Sequence, residues 1–315
     1  TQLKNFFSIS FIFGLWNDIK KVDIIYIQYL FHYTVFFSLV YSLINKKRVI
    51  ICPRGAFSNF TLSNRNILIK KIWLKFLFKP FLKNIEWQAS SYLEKDNILN
   101  YFPLAQVILI NDGIDFSSFQ GEVKSVSKCD LVEKYTKVRY NIISHVFFSM
   151  GRLHRIKRFD VLIDAFALFV NTHKNAKLLI AGSNDGMEKH LLNRIHNLHL
   201  NNSVFLIGHI NFNNKKLLLN NCDYFTLASD FESFGIVIAE ALSCGRPVII
   251  SDKTPWNDIE KNNCGILAKN DKDTFNSAFQ DIIQREFDEF TIKNYVKSRY
   301  DWNVIIRDFL NLIKN

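Results

Sequence analysis

Residues 223–251 read DYFTLASDFESFGIVIAEALSCGRPVIIS and contain a complete strand–helix–strand unit. The apolar run YFTLA predicts a strand, IVIAEALSC predicts a helix that begins near Ile236, and PVIIS predicts a second strand. Gly245 follows the last helical turn, where a glycine commonly ends a helix in the left-handed conformation. Apolar strands joined by a helix indicate a parallel sheet that is covered on both faces.

The same alternation continues on both sides of this unit. From residue 143 onward the predicted strands are HVFFSM, KLLIAG, SVFLIG, DYFTLAS, PVIIS and GILAK. The predicted helices between them lie near residues 160–172, 187–198, 213–221 and 236–244. The first part of the chain carries the strands DIIYIQ, RVIICP, EWQAS and QVILI. We therefore expect an α/β protein with two doubly wound lobes, joined by a polar, Ser-rich linker at residues 115–128.

Composition and charge indicate the class of protein and the kinds of molecule that it could bind. The 315 residues are 48% hydrophobic and 22% charged, and the five cysteines include no C-x-x-C pair, which favours a globular protein of a reducing compartment. Residues 1–110 hold 14 Lys and Arg against 5 Asp and Glu, whereas the remainder holds 26 against 24. This asymmetry predicts an anionic partner for the first lobe. We expect no nucleic acid, because the chain has no Arg-rich patch or known recognition motif.

Much of the basic charge lies in residues 66–84, NILIKKIWLKFLFKPFLKN. A lysine recurs there at every fourth position, and apolar and aromatic residues lie between the lysines: Lys71, Lys75, Lys79 and Lys83. On a helix this spacing places a basic stripe beside a broad apolar face, with Pro80 kinking or ending the helix. Two interpretations stay open: a helix lying on an anionic membrane surface, or a core-packing helix with a solvated lysine face.

The strand HVFFSM runs into a basic loop before the next helix. This loop contains Gly151, Arg152 and Lys157, and the helix begins near Asp160. Cations at the carboxyl end of a strand and amides at a helix start both favour a phosphate. The loop has neither a dinucleotide-binding nor an NTPase glycine pattern, and a solvated basic loop is the alternative.

The opening stretch carries two acidic side chains, Glu232 in the loop and Glu240 in the helix. Glu240 is the single charge of IVIAEALSC, so its carboxylate needs a buried partner such as a sugar hydroxyl pair or an arginine. Residues 233–236 offer backbone amides at the helix start, which suit phosphate or sugar oxygens.

Taken together, these motifs resemble the retaining, nucleotide-sugar-dependent glycosyltransferases of family four, the group 1 glycosyltransferases, which have the two-lobed GT-B fold. Glu232 and Glu240 match the motif E-x7-E, and Gly151, Arg152 and Lys157 match G-R-L-x-x-x-K. Further matches are AGSNDG at 181–186, FLIGHI at 205–210, TPW at 254–256, PRG at 53–55 and NDGID at 111–115.

The resemblance implies roles for matching residues. Arg152 and Lys157 would hold the donor diphosphate and stabilise the leaving nucleoside diphosphate, so no metal ion or other cofactor is expected. Glu232 would lie beside the donor sugar, and Glu240 would bind the ribose hydroxyls. The other implied donor contacts are Gly151, Gly208, Ser233, Phe234, Gly235 and Ile236, with Arg54 and Gly55 from the first lobe.

The implied activity is transfer of a hexosyl unit from a UDP- or GDP-sugar to a glycan or lipid-linked glycan, with retention of configuration. The expected setting is bacterial surface polysaccharide biosynthesis (O-antigen, capsule or lipopolysaccharide), on the inner face of the cytoplasmic membrane. The expected domains are residues 1–128, residues 129–298 and a helix at 299–315 that packs toward the first lobe.

Two alternatives stay open. The strand and Gly-rich loop that open this family are not evident before residue 22, so we expect an incomplete first lobe. A non-catalytic remnant that binds a nucleotide sugar or a membrane is therefore the first alternative. A sugar epimerase or phosphorylase that shares the two-lobed architecture is the second.

Overall fold

A computed structural model of the chain describes residues 8–63, 66–121 and 123–314. Its internal contacts divide the chain into two compact units, unit 1 (Thr1–Asn111) and unit 2 (Asp112–Asn315). Each unit contains one parallel sheet with helices between its strands. The α/β prediction is confirmed, and every strand expected from the sequence is present.

In unit 1 four strands pair in the order in which the chain makes them. The strands are β1 (Ile24–Gln28), β2 (Arg48–Cys52), β3 (Ile85–Ala89) and β4 (Gln106–Leu109). The helices are α1 (Ile9–Ile19), α2 (Tyr33–Ile44), α3 (Asn59–Ser63), α4 (Ile67–Trp73) and α5 (Tyr92–Tyr101). Trp87 of β3 centres the core, because the rings of Phe57, Phe78 and Phe102 lie 5.4–5.7 Å from it. Such aromatic packing contributes strongly to the stability of a small core.

In unit 2 six parallel strands pair in the order β10–β9–β8–β5–β6–β7. The strands are β5 (Val146–Met150), β6 (Lys177–Ala181), β7 (Val204–Gly208), β8 (Tyr224–Leu227), β9 (Val248–Ser251) and β10 (Gly265–Ala268). The helices are α6 (Lys128–Thr136), α7 (Phe159–Phe169), α8 (Glu188–Asn197), α9 (Phe212–Asn221), α10 (Ile236–Ser243), α11 (Lys272–Ile282), α12 (Glu289–Tyr300) and α13 (Trp302–Lys314). The chain builds the sheet outward from β5 in one direction and from β8 in the other. The order therefore reverses between β5 and β8, and sheets of this kind bind ligands beyond the carboxyl ends of the strands at the reversal.

Both faces of the unit 2 sheet are covered, as the apolar strands predicted. Phe147 of β5 packs on one face against Phe166 and Phe279, with ring centroids 5.7 and 5.0 Å away. Its neighbour Phe148 points to the other face, where the ring of Phe225 lies 6.0 Å away. Alternate residues of one strand thus enter two separate cores, which requires helices on both sides.

The stretch after Asp115 packs on unit 2, which differs from the linker predicted there. Phe116–Phe119 forms a 3-10 helix whose two phenylalanines are buried in the unit 2 core. Side chains three residues apart lie on one side of a 3-10 turn, so both rings reach the core while the serines between them face outward. The division between units lies after Asn111 rather than near residue 128. That the last helix packs toward the first lobe stays a prediction.

The lysine-rich segment is not one continuous α-helix. α4 ends at Trp73, a π-helical turn covers Leu74–Phe78, and a 3-10 helix covers Lys79–Asn84, with Pro80 in its first turn. Proline fits a first turn because its missing N–H has no intrahelical role there. Leu74, Leu77 and Phe78 are buried in the unit 1 core. The core-packing interpretation is therefore correct for one side of the segment.

The long uncharged run of residues 24–44 forms β1 and α2. In the described part of the chain, no helix has both the length and the apolar character that a bilayer crossing requires.

Candidate functional site

Two loops leave the neighbouring strands β5 and β8 where the sheet order reverses. The β5 loop comprises residues 151–158, and the β8 loop comprises residues 228–235. The amide of Asp230 donates to the carbonyl of Ile156 over 2.8 Å, and Arg158 Nη1 donates to Asp230 Oδ1 over 3.2 Å. These bonds hold the two loops together as one surface.

Lys157 and Glu232 meet between these loops. Lys157 Nζ lies 2.5 Å from Glu232 Oε1, and Ser229 Oγ donates to the same oxygen over 2.7 Å. The Lys157 side chain is 16% exposed and that of Glu232 is 12% exposed. An ammonium carries three donors, so Lys157 can bind Glu232 and an anionic ligand together. The pair therefore presents a cation that is already oriented.

Close backbone packing fixes the start of the β5 loop. A Cβ built on Gly182 would lie 1.8 Å from the carbonyl oxygen of Gly151, so position 182 admits only glycine without a backbone shift. Leu153 N also donates to Ser183 O over 2.9 Å. Residues 181–186 (AGSNDG) thus pack against the loop that carries Lys157 and limit its conformation.

Arg152 pairs with Asp185 and not with Glu232. Its Nη1 lies 2.6 Å from Asp185 Oδ2, and its side chain is 67% exposed. Exposed ion pairs contribute little free energy, so the guanidinium can exchange Asp185 for a phosphate at small cost.

The β8 loop ends at the first turn of α10. Gly235 precedes the helix with φ +83°, and Ile236 begins it with an exposed side chain. Phe234 is buried against Trp256, whose Nε1 donates to the Phe234 carbonyl over 2.5 Å, and Ser233 is half-buried beside it. The first amides of a helix have no intrahelical acceptor, and the helix dipole favours an anion there. Fixing Phe234 fixes the direction in which these amides point.

Glu240 is buried in α10 and pairs with Lys215 of α9, a partner that sequence analysis missed. Lys215 Nζ lies 2.5 Å from Glu240 Oε1, and Glu240 is 7% exposed. The ammonium also lies 5.5 and 5.4 Å from the rings of Phe119 and Phe212. Burial raises the pKa of Glu240, and the hydrogen bond from Lys215 opposes this shift. In sequence the pair is 25 residues apart, so no local spacing indicates it.

The second carboxylate oxygen of Glu240 has no hydrogen-bond donor among the described residues. Glu240 Oε2 is buried, and it has no hydrogen-bond partner among the described residues. An unsatisfied buried acceptor costs about 1–3 kcal/mol. A hydroxyl donor would satisfy it, and this fits the sugar-hydroxyl partner expected from the sequence.

Gly208 ends β7 with φ +71°, and its carbonyl accepts from Gly182 N over 2.8 Å. A Cβ built on Gly208 would meet no described atom within 4 Å, so the space beside it is open. A role for Gly208 in donor binding stays a prediction.

In unit 1, Arg54 and Gly55 form a turn after β2, and both have positive φ, +52° and +75°. Gly55 N donates to Glu94 Oε1 over 2.5 Å, and Ser90 donates its amide and its hydroxyl to Glu94 Oε2 over 2.8 and 2.6 Å. Glu94 is 1% exposed, so this buried carboxylate fixes the turn. The Ser91-x-x-Glu94 spacing signals a helix start but not these partners.

The structure thus brings together some of the predicted residues and separates others. Four of the predicted residues are neighbours: Gly151, Lys157, Glu232 and Gly235. A Cβ built on Gly235 would lie 3.5 Å from Glu232 Cγ, and one built on Gly151 would lie 3.2 Å from Lys157 Cε. The Lys157–Glu232 contact joins these two sets. Arg152 pairs outside this group with Asp185, and Glu240 pairs with Lys215. Within residues 8–63, 66–121 and 123–314 no cluster of three or more His, Cys, Asp or Glu side chains is arranged to hold a metal ion.

The chain is similar to several known proteins. An uncharacterized glycosyltransferase of Methanocaldococcus jannaschii, MJ1607, is 30% identical over 52% of this chain and 43% of its own length. The O-antigen chain mannosyltransferase RfbU of Salmonella typhimurium is 25% identical over 75% of this chain and 61% of its own length. The chain therefore spans about half the length of these curated relatives.

A solved structure and a family model complete the comparison. The crystal structure of Anabaena Alr3699/HepE in complex with UDP superimposes with a TM-score of 0.78 and 17% identity, over 97% of this chain and 82% of that protein. At this identity the likeness shows the fold alone, which is the GT-B fold of two Rossmann-like units. The family model of the group 1 glycosyl transferases matches residues 141–299, about half of the chain, and includes both loops of the site. The chain belongs to the group 1 glycosyl transferases.

Proposed function

We propose that the chain transfers a hexosyl unit from a UDP- or GDP-sugar to a glycan or lipid-linked glycan, with retention of configuration. The observation that carries this proposal is the Lys157–Glu232 pair at the reversal of the unit 2 sheet, beside the first turn of α10. This position is where doubly wound sheets bind phosphorylated ligands.

The chemical demand of the reaction is stabilisation of the leaving group. When the bond from the sugar C1 to the diphosphate oxygen breaks, negative charge grows on the departing phosphate. Lys157 is held in place by Glu232, and Arg152 can turn from Asp185 toward the same phosphate. Two such cations supply the charge stabilisation that a divalent metal supplies in other transferases, so we propose a reaction without a metal.

Retention fits a front-face attack. The acceptor oxygen bonds to C1 on the side from which the diphosphate departs, and a donor phosphate oxygen takes the acceptor proton. Glu232 is a poor covalent nucleophile, because its Oε1 already accepts from Lys157 and Ser229. Its role is to orient Lys157 and to bind a hydroxyl of the donor sugar. Glu240 Oε2 is the matching acceptor for a ribose hydroxyl.

The biological setting is part of the proposal. RfbU is named an O-antigen chain mannosyltransferase, and it covers three quarters of this chain. We propose a comparable place in bacterial surface polysaccharide synthesis (O-antigen, capsule or lipopolysaccharide), with an acceptor presented at the inner face of the cytoplasmic membrane. The basic charge of residues 1–110 supports an anionic membrane surface as a partner.

Two measurements on the full chain test the function. A thermal-shift screen of UDP- and GDP-sugars is expected to show one donor that raises the melting temperature, because a ligand of the folded state stabilises it by mass action. Release of nucleoside diphosphate from that donor is then measured with a glycan acceptor and without added metal, for wild type, Glu240→Ala and the surface control Lys174→Ala. Turnover is expected to fall in Glu240→Ala alone. Unchanged turnover in Glu240→Ala, or the absence of any stabilising donor, would contradict the proposal.

The anomeric configuration of the product tests the mechanism separately. Proton NMR coupling constants of the transferred sugar are expected to match those of the donor. An inverted product would leave the transferase function intact but would exclude the front-face reaction.

A further inference from the structure

Lys215 of α9 occupies one of the two carboxylate oxygens of Glu240. Lys215 Nζ lies 2.5 Å from Glu240 Oε1, whereas Glu240 Oε2 is buried without a hydrogen-bond partner among the described residues. The pair is not sealed from solvent, because 18% of the Lys215 side chain and 10% of the Glu240 side chain are exposed. The two oxygens are thus unequal: a cation of the protein takes Oε1, and Oε2 is left for another donor.

Two aromatic rings hold the Lys215 ammonium in place. It lies 5.5 Å from the ring of Phe119 and 5.4 Å from the ring of Phe212, and the centroids of these two rings are 5.4 Å apart. Phe119 is buried in the unit 2 core, and Phe212 is the first residue of α9. A cation is attracted to the face of an aromatic ring. The two rings therefore limit the directions from which Lys215 can reach Glu240.

The next lysine of the same helix has a different partner. Lys216 is half-buried like Lys215, but its Nζ donates to the carbonyl of Gln120 over 2.5 Å. Within the described residues it forms no ion pair, whereas Lys215 contacts the carboxylate that we assign to the ribose. Lys216 is therefore a matched control for Lys215, with the same charge, the same helix and similar burial.

We propose that Lys215 is a positioning residue for the donor: it holds Oε1 of Glu240, so that Glu240 binds one ribose hydroxyl through Oε2 rather than both hydroxyls, one on each oxygen. This rests on the proposed function and names the part of the donor that Glu240 recognises. Lys215 also favours the charged carboxylate, because its hydrogen bond opposes the rise in the pKa of Glu240 that burial causes. A charged acceptor forms a stronger hydrogen bond with a hydroxyl than a neutral one does.

Deoxy analogues of the nucleotide test the single hydroxyl. The full chain is titrated by calorimetry with UDP or GDP, whichever stabilises it more, and with the 2′-deoxy and 3′-deoxy forms of that nucleotide. Each loss of affinity in wild type is divided by the loss in Glu240→Ala, which isolates the part that depends on Glu240. One analogue is expected to lose about 10–100-fold in this ratio, as for a hydrogen bond to a charged group. The other is expected to lose about twofold or less.

Two results of this titration would overturn the proposal. Equal losses for both analogues would show that each carboxylate oxygen holds a hydroxyl, and no loss for either would show that Glu240 does not bind the ribose. Turnover of the donor by wild type, measured on the same preparation, separates this failure from failure of the transferase function. A chain that turns over the donor but shows equal losses rejects the role of Lys215 alone.

Lys215→Met tests the positioning role, because methionine keeps much of the apolar stem of lysine and removes the charge. The variant is expected to raise KM for the donor about tenfold and to leave kcat unchanged, since the ribose contact is the same in the ground state and the transition state. Lys216→Met, the matched control, is expected to keep both constants of wild type.

The pH dependence distinguishes positioning from a merely structural role. Without Lys215, burial raises the pKa of Glu240 further, so the carboxylate forms only at higher pH. The loss that depends on Glu240 should then be small in Lys215→Met at about pH 7 and should return as the pH rises toward about 9, the range of buried carboxyl groups. Wild type and Lys216→Met should show it throughout.

An unchanged KM in Lys215→Met, an equal increase in Lys216→Met, or a loss that does not vary with pH would show that Lys215 does not position Glu240. Melting temperatures verify that both variants fold. The analogue titration of wild type does not depend on the folding of Lys215→Met, so it tests the single-hydroxyl contact in either case.

Discussion

The two units of this chain use charge in opposite ways. In unit 2 the sheet reverses its order between β5 and β8. The loops at this point carry the pair Lys157–Glu232, and helices α9 and α10 carry the pair Lys215–Glu240. The side chains of both pairs are between 10% and 18% exposed. In unit 1 the four described strands follow chain order, and Lys71, Lys75 and Lys79 are exposed without an ion-pair partner among the described residues.

This difference teaches how each unit can recognise an anion. A cation held by a buried carboxylate is oriented before the ligand arrives, which suits a reacting phosphate. A group of exposed lysines attracts an anion over a longer range, and this attraction is sensitive to salt. The comparison predicts that removal of a buried, paired charge has a far larger effect than removal of an exposed one.

The largest effect is expected at Lys157. Lys157→Ala should lower kcat of sugar transfer about 10²–10³-fold, because it removes a preorganised donor at the leaving phosphate. The matched control is Lys174→Ala, an exposed lysine of unit 2 outside the site, which should leave kcat unchanged. The measurement is steady-state release of nucleoside diphosphate at saturating donor. If both variants kept wild-type kcat, the pair would be structural rather than catalytic.

The buried side chain of Glu94 should contribute most to the stability of the Arg54–Gly55 turn in unit 1. Glu94→Ala is expected to reduce the free energy of unfolding by about 2–3 kcal/mol, because the donors of Gly55 and Ser90 lose their buried acceptor. Glu86→Ala is the control, since Glu86 pairs with Arg48 in a more exposed position and should cost about 1 kcal/mol or less. Urea unfolding measures both, and hydrogen exchange of the Gly55 amide locates the effect. Equal losses would show that Glu94 has no special role.

The pH dependence of unit 2 stability should report Glu240. Burial raises its folded pKa above the ordinary value of 4.5, so the folded state favours the protonated carboxyl. Its stabilising contribution is therefore present at low pH and is lost as the pH rises from about 4.5 through the folded pKa. Lys215→Met removes the opposing hydrogen bond, so the loss should become larger and extend to higher pH.

Urea unfolding of wild type, Lys215→Met and Glu240→Gln over this pH range checks the prediction. Glu240→Gln cannot titrate at this position and supplies the reference for all other groups. Parallel pH profiles for wild type and Glu240→Gln would contradict the assignment of a raised pKa to Glu240.

The smallest effect is expected at the exposed partner of Arg152. Asp185→Asn should change the free energy of unfolding by less than about 0.5 kcal/mol, because the pair lies largely in water. Arg152→Ala should be equally mild for stability yet should weaken binding of nucleoside diphosphate, measured by calorimetry. A large loss of stability in Asp185→Asn would show that Arg152 is fixed to Asp185 and is not available to a phosphate.

Strand and loop positions followed from the sequence because they depend on local pattern. Apolar runs located all ten strands, and the E-x7-E spacing located Glu232 and Glu240 at the end of one strand and in the next helix. The contact of Lys157 with Glu232 then follows from topology, since β5 and β8 are neighbours. The motifs therefore named both residues of this contact, and their role in donor binding stays a prediction.

Side-chain partners that lie far apart in the sequence could not be predicted from local pattern. Lys215 and Glu94 look like ordinary polar residues of helices, and only tertiary packing turns Lys215 toward Glu240 and Glu94 toward Gly55. The Ser-rich sequence after Asp115 was similarly misleading, because the burial of Phe116 and Phe119 depends on a surface that unit 2 provides. Burial of a polar or charged group is a property of the fold, and composition does not report it.

The central claim is that the loops at the β5–β8 reversal hold the donor diphosphate. A crystal structure of the full chain with UDP or GDP, whichever raises the melting temperature more, tests it most directly. The account predicts a phosphate oxygen within hydrogen-bond distance of Lys157 Nζ, and a ribose hydroxyl on Glu240 Oε2. A diphosphate bound away from Lys157, with the Lys157–Glu232 and Lys215–Glu240 pairs untouched, would contradict it.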